Sequence, residues 1–151
     1  MEKVLRLSAK ALIVRDQKLL VIRKRDENQD YFLLPGGGQE HGETLPEVVR
    51  REVLEETGYR VRAGDLVFVR DYIGANHEFA KDSSHFHQVE FYFKAELESD
   101  HAEKPTIPDD GQTGIEWIPL EQVESSRIYP MSLRREIATQ AAKPVYRGDV
   151  N

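Results

Sequence analysis

The sharpest constraint in this chain is a break in it. Pro35-Gly36-Gly37-Gly38 follows the short apolar run at 31–34 and precedes a strongly helical segment. Proline stops the run because it has no N–H to give a sheet, and three glycines favour neither helix nor strand. A loop is therefore expected at 36–38. The helix beyond it starts near Leu45 and runs to Thr57. Thr44 and Glu47 have the spacing of a capping box. Pro46 falls in the first turn, where its missing N–H is harmless, and Gly58 stands where a C-cap belongs.

Around this break the chain alternates strands and loops. Residues 4–14 and 18–23 are rich in Val, Ile and Leu and are separated by Asp16-Gln17, which predicts a hairpin. Further strands are expected at 66–73, 86–97 and 115–119, loops at 74–84 and 99–114, and a second helix over 131–142. Strands, a helix, more strands and another helix imply an α/β fold with a mixed β-sheet between helices. The length, 151 residues, suits a single domain over 1–151.

Composition narrows the function classes. Without cysteine there is no disulfide, thiolate metal site or cysteine nucleophile, which fits a reducing compartment. A net charge of −6 argues against a nucleic acid polymer as partner, since that needs a basic face. The cluster Arg23-Lys24-Arg25 reads either as the polar end of a strand or as a seat for a small anion. The first residues lack a signal-peptide apolar run, and no stretch approaches membrane-spanning length. A cytoplasmic protein with no membrane partner is expected.

The helix itself carries an anomaly. Leu45, Val48, Val49 and Val53 form one apolar stripe, and Glu52 and Glu56 project near its middle, with Glu55 at its edge. Burying an ionised carboxylate without a partner is costly, and like charges four apart repel. Arg51 can reach Glu55 and Glu47 at one turn either way, but it points away from the stripe's centre. A divalent cation offsets Glu52 and Glu56 better, and hard oxygen ligands suit Mg²⁺, with Mn²⁺ as an alternative. A solvated charged helix is the competing reading. The glycines favour the first, because backbone N–H groups of Gly37 and Gly38 near a helix N-terminus can approach phosphate oxygens.

Residues 37–59, GGQEHGETLPEVVRREVLEETGY, resemble the Nudix box, G-x5-E-x7-R-E-U-x-E-E-x-G-U. Gly37, Glu43, Arg51, Glu52, Val53, Glu55, Glu56 and Gly58 take its fixed places. Tyr59 stands where an aliphatic residue is usual. The resemblance implies an α/β/α sandwich and hydrolysis of a nucleoside diphosphate linked to another group. By the same carry-over, Glu52, Glu55 and Glu56 surround Mg²⁺ and the Gly36 carbonyl adds a ligand. Arg51 orients the carboxylates, and Glu43 braces the loop against the helix. Asp110-Gly111-Gln112 resembles an acidic stretch that supplies a metal ligand in MutT-like members, so Asp110, or its neighbour Asp109, is a candidate ligand.

The general base stays open between Glu52, a later-loop aspartate and Glu90, which interrupts an apolar strand but also reads as a solvent-facing position. His77, His85 and His87 read as polar surface. Arg23, Gly37 and Gly38 are the substrate-binding candidates, and Tyr72, Phe79 or Trp117 are placed to stack on a base. A proline about sixteen residues past the box marks many ADP-ribose hydrolases; this chain has Ala75 there. No coenzyme A or NADH signature is visible. A catalytically inactive nucleotide-binding or regulatory domain is the alternative function, and RNA-end processing fits less well without a basic groove. Oligomeric state is not legible, and a homodimer stays open.

Overall fold

Burial alternates along the first strands, and the alternation sets the layers. In β1 (Val4–Leu12), Ala9 and Ala11 join one apolar cluster while Leu12 joins another. In β3 (Lys18–Arg25), Leu20 goes to the first and Leu19 and Val21 to the second. Strands buried on both faces must lie between two covering layers. One cover is α1 (Leu45–Thr57), through Val48, Val49 and Val53. The other is the short α3 (Arg134–Thr139), through Ile137, with Leu133 just before it. The computed structural model describes residues 2–27, 29–108, 110–140 and 145–151.

The α/β/α sandwich with mixed pairing is thus present, and its strands divide into two sheets. In the first, β1 runs parallel to β7 (Phe86–Leu97) and antiparallel to β5 (Gly36–Gly38). Beyond β7 lie β6 (Val61–Ile73), antiparallel to it, and β10 (Val145–Asp149), parallel to β6. In the second, β3 pairs antiparallel with β2 (Val14–Arg15), β4 (Asp30–Leu33) and β8 (Gln112–Pro119). A two-residue strand, β9 (Ile128–Tyr129), adds parallel to β4. The β2–β3 hairpin turns at Asp16 and Gln17, both left-handed with φ of 51° and 61°, as a tight two-residue connection requires.

The expected helix forms as read. Thr44 Oγ1 accepts the Glu47 N–H and the Glu47 carboxylate accepts the Thr44 N–H, so both halves of the capping box are made. Gly58 ends it at φ 78°, where a Cβ would lie 1.7 Å from the Glu103 carbonyl oxygen.

Several expectations need correction. The three glycines form β5 rather than a loop: pairing with Ser8–Ala9–Lys10 of β1 supplies what their propensity does not. Gly36, at φ 142° and with its would-be Cβ 2.1 Å from the Ala9 carbonyl oxygen, fits there only as glycine. The 74–84 segment contains a 3₁₀ turn (Gly74–Asn76) and the short α2 (Ala80–Ser83). β6 starts at Val61, and β8 at Gln112, inside the expected 99–114 loop. The second helix is a 3₁₀ turn (Met131–Leu133) followed by α3; residues 141 and 142 of the expected span lie outside the described residues. No described helix is long and apolar enough to cross a membrane.

Candidate active site

β5 runs beside α1, and the two elements assemble a charged cluster around Arg51. Its Nε and Nη2 grip both oxygens of Glu43 at 2.7 and 2.8 Å, the fork geometry that suits a carboxylate. Its Nη1 donates to Glu52 at 2.8 Å and to Glu55 at 3.4 Å, and Nη2 also donates to the Gly38 carbonyl at 3.0 Å. Arg51 therefore ties the box's loop, through Glu43 and Gly38, to the two helix carboxylates. The Glu55 contact was expected from the spacing. The Glu47 contact was not found, because Glu47 is held at the cap by Thr44.

Glu56 is the buried member. It is 2 % exposed, and its Oε1 accepts the Gly36 N–H at 2.8 Å. Gly37 lies against Glu52, whose carboxyl carbon would stand 2.6 Å from a Cβ at that position. The arginine beside Glu43 holds its carboxyl below the usual carboxylate range, overcoming the opposing effect of burial. Glu55 moves the other way: burial, then the field of Glu52, push it up against the pull of Arg51.

Among the described residues, no three acidic or histidine side chains are gathered closely enough to enclose an ion. The donor set nonetheless fits one. Glu43, Glu52 and Glu55 share one guanidinium, and Glu56 sits one turn from Glu52 on a backbone N–H. Hard oxygen donors with a surplus of negative charge are what Mg²⁺ and Mn²⁺ need.

The remaining candidates are distributed differently. Asp110 lies exposed in the turn before β8, and Gln112 ties that turn to α1 by donating to the Glu56 carbonyl at 3.0 Å. Asp109 lies outside the described residues. Arg23 bonds the Thr113 hydroxyl and carbonyl at 3.0 and 2.9 Å and reaches Glu116 at 3.3 Å, so its fork is committed to β8. Gly37 and Gly38 offer carbonyls to Ser8 and Arg51.

Beside β5 opens a cleft of about 370 Å³ whose lining includes Arg6, Lys10 and Lys24. Of the aromatic candidates Tyr72 and Phe79 line it, and Phe79 packs 5.3 Å from Tyr31 and 5.2 Å from Tyr129 between ring centroids. Trp117 does not line it: it packs edge-on against Tyr59 at 5.7 Å, under the Arg15 guanidinium. Glu90 also needs correcting. It is not solvent-facing but 4 % exposed, ion-paired to Arg70 at 2.7 Å and accepting from the Tyr92 hydroxyl at 2.6 Å and from Gln88. Burial pushes its carboxyl up, but Arg70, then Lys10 and Tyr92, outweigh that and hold it at about 2. A carboxylate so stabilised and so fully bonded is a poor proton acceptor. His77 and His87 are bound to Asp149 and Asp71 at 2.6 and 2.7 Å. The sequence reading missed Arg6, Lys10 and the Arg70–Glu90 pair, because only pairing register brings them to one cleft.

The NUDIX domain family model matches residues 4–140. The chain belongs to the Nudix family. A relative from Methanocaldococcus jannaschii, an ADP-ribose pyrophosphatase, is 44 % identical over 59 residues, covering 38 % of this chain and 35 % of that protein. Among solved structures, a Nudix hydrolase from Nitrosomonas europaea superposes with a TM-score of 0.71 at 20 % identity, covering 91 % of this chain and 90 % of that one. A MutT Nudix hydrolase from Burkholderia pseudomallei gives a TM-score of 0.65 at 26 % identity, covering 89 % and 98 %. The Nudix box is thus the segment that builds β5, the Glu43–Arg51 clasp and α1.

Proposed function

We propose that this Nudix protein hydrolyses a diphosphate linkage in a nucleoside diphosphate derivative, with Mg²⁺ or Mn²⁺ held by Glu52, Glu55 and Glu56. The observation that carries this is the charge surplus on one face of α1: Glu52 and Glu55 share with Glu43 a single guanidinium, and the buried Glu56 lies one turn from Glu52 on the Gly36 N–H. The Gly36 carbonyl and Asp110 complete the proposed ligand set. When bound, the ion neutralises the diphosphate and activates water for attack. Water adds to one phosphorus, the P–O–P bond breaks, and two phosphate-terminated products leave. The water's proton passes to a carboxylate beside the ion, Glu52 or Asp110. Arg51 holds Glu52 and Glu55 apart in fixed positions, and Glu43 holds Arg51.

A nucleotide-type substrate is supported by the cleft beside β5, where Arg6, Lys10 and Lys24 meet Tyr31, Tyr72 and Phe79. The name of the Methanocaldococcus jannaschii relative makes ADP-ribose the first compound to try, although Ala75 replaces the proline common in such enzymes. The test is a screen of nucleoside diphosphate derivatives against purified protein with Mg²⁺, with p-nitrophenyl phosphate as the monoester control. Diphosphates should be cleaved, monoesters spared and all turnover lost in excess chelator. Full rates in chelator, or monoesters cut as fast as the best diphosphate, would overturn the mechanism.

A further inference from the structure

Each glycine of β5 makes room for a different charged side chain, and two of these come from β1. A Cβ on Gly37 would strike Glu52. On Gly36 it would lie 2.7 Å from Lys10 Cα and 2.9 Å from Lys10 Cδ, and on Gly38, 3.2 Å from the carbon of the Arg6 guanidinium. The register explains the pattern. Lys10 lies opposite Gly36 and Ser8 opposite Gly38, and Arg6, Ser8 and Lys10 share one face of β1 by the two-residue repeat of a strand. Ser8 donates to the Gly37 carbonyl at 2.8 Å, while Arg6 and Lys10 reach the cleft on either side.

Arg6 is held there from beneath. Its Nε donates to Gln88 Oε1, Gln88 Nε2 donates to Glu90, and Glu90 pairs with Arg70. Gln88 and Glu90 are both buried, and the guanidinium rests 5.1 Å from the Phe86 ring centroid. Among the described residues, Arg6 makes no other hydrogen bond or ion pair, and Lys10 makes no hydrogen bond. In a chain of net charge −6, two cations turned into one cleft, Arg6 with no carboxylate partner among the described residues and Lys10 sharing the field of Glu90 with Arg70, are a local exception. Such an exception is how an acidic protein receives a polyanion.

We propose that Arg6 and Lys10 form a cationic rail along β1 that binds the anionic oxygens of the substrate's diphosphate, with Gln88 as the positioning residue for Arg6. The proposal rests on the diphosphate reading above and specifies which residues outside the Nudix box hold that group. Gly36 and Gly38 then let the rail past, while Gly37 makes room for Glu52.

The test uses methylenediphosphonate, which is not hydrolysed, titrated by calorimetry into the full chain with Mg²⁺. Arg6→Gln and Lys10→Gln should each weaken binding about tenfold or more, as the loss of a charge-assisted contact does. Gly38→Ala keeps every charge but crowds the guanidinium, and should weaken binding less. Gln88→Leu should weaken binding in the parent and have no effect in the Arg6→Gln background, which loss of a merely structural residue would not reproduce. Arg62→Gln, an exposed charge on β6 paired with Glu96, should bind as the parent does. The melting response to Mg²⁺ alone should be the same in all. A parent that does not bind the probe, or Arg6→Gln and Lys10→Gln variants that bind it normally, would overturn the rail. A parent that binds through these residues yet cleaves no diphosphate keeps the rail and removes the hydrolase reading. Cleavage with an unchanged KM in Arg6→Gln does the opposite.

Discussion

Arg70 donates hydrogen bonds to one carboxylate side chain and Arg51 to three. The Arg70–Glu90 pair is dry: both residues are about 5 % exposed, and the Tyr92 hydroxyl, Gln88, the Val150 carbonyl and Asn151 take up their remaining capacity. The Arg51 cluster is half open, and its carboxylates outnumber its cation. Burial raises Glu90, yet its partners force it well below the usual range, whereas burial and a neighbouring carboxylate leave Glu55 raised. A balanced buried pair is complete in itself and serves the fold. An unbalanced cluster at a surface keeps capacity for a cation.

The comparison breaks first at Glu56. Glu56→Gln keeps an acceptor for the Gly36 N–H, so the fold should survive. The rate on the best diphosphate should drop by about two to four orders of magnitude. The rise in melting temperature on adding Mg²⁺ should shrink, because the parent gains stability by binding the ion. A variant with parental rates would place Glu56 with the structural carboxylates.

Glu90→Gln should do the reverse, leaving Arg70 buried without its counter-charge. Urea unfolding should show a loss of roughly 3–5 kcal/mol, the usual cost of breaking a buried pair. The pH dependence has a definite sign. The folded pKa of about 2 lies below the unfolded value, so the stabilisation is complete above the unfolded pKa, about 4.3, and is lost as pH falls toward 2. Melting curves of the parent should fall across that window, and the Gln variant should lack this part of the fall.

Arg51→Lys is the finest cut. A lysine keeps the charge but cannot grip both Glu43 oxygens while reaching Glu52. The rate should fall by about tenfold, with a stability loss of about 1 kcal/mol. An equal proportional loss in both would make Arg51 a fold residue like Arg70.

What the chain discloses before folding depends on where the cause of each feature lies. The bounds of α1 were legible because capping box, first-turn proline and terminal glycine are local signals, and β7 emerged with the ends read for it. β5 was not legible, since its stability comes from a partner strand nearly thirty residues earlier in the chain. β9 and β10 are short and take their order from β4 and β6. At the site, the box announced the α1 carboxylates. Glu90 read ambiguously because its partner, Arg70, is set opposite it only by the β6–β7 register. Trp117 looked like a stacking residue, but its position in β8 turns it into the core beneath α1.

The hairpin at Asp16-Gln17 has a practical side. Outside glycine, a left-handed backbone is disfavoured, and aspartate tolerates it better than glutamine does. Pairing of Val14 with Leu19 and the bond from the Leu120 N–H to the Gln17 carbonyl, at 2.9 Å, hold the turn in that shape regardless. Neither turn residue lines the cleft. Heat tolerance can therefore be engineered at position 17, with a residue at ease in that conformation, while the chemistry is left alone.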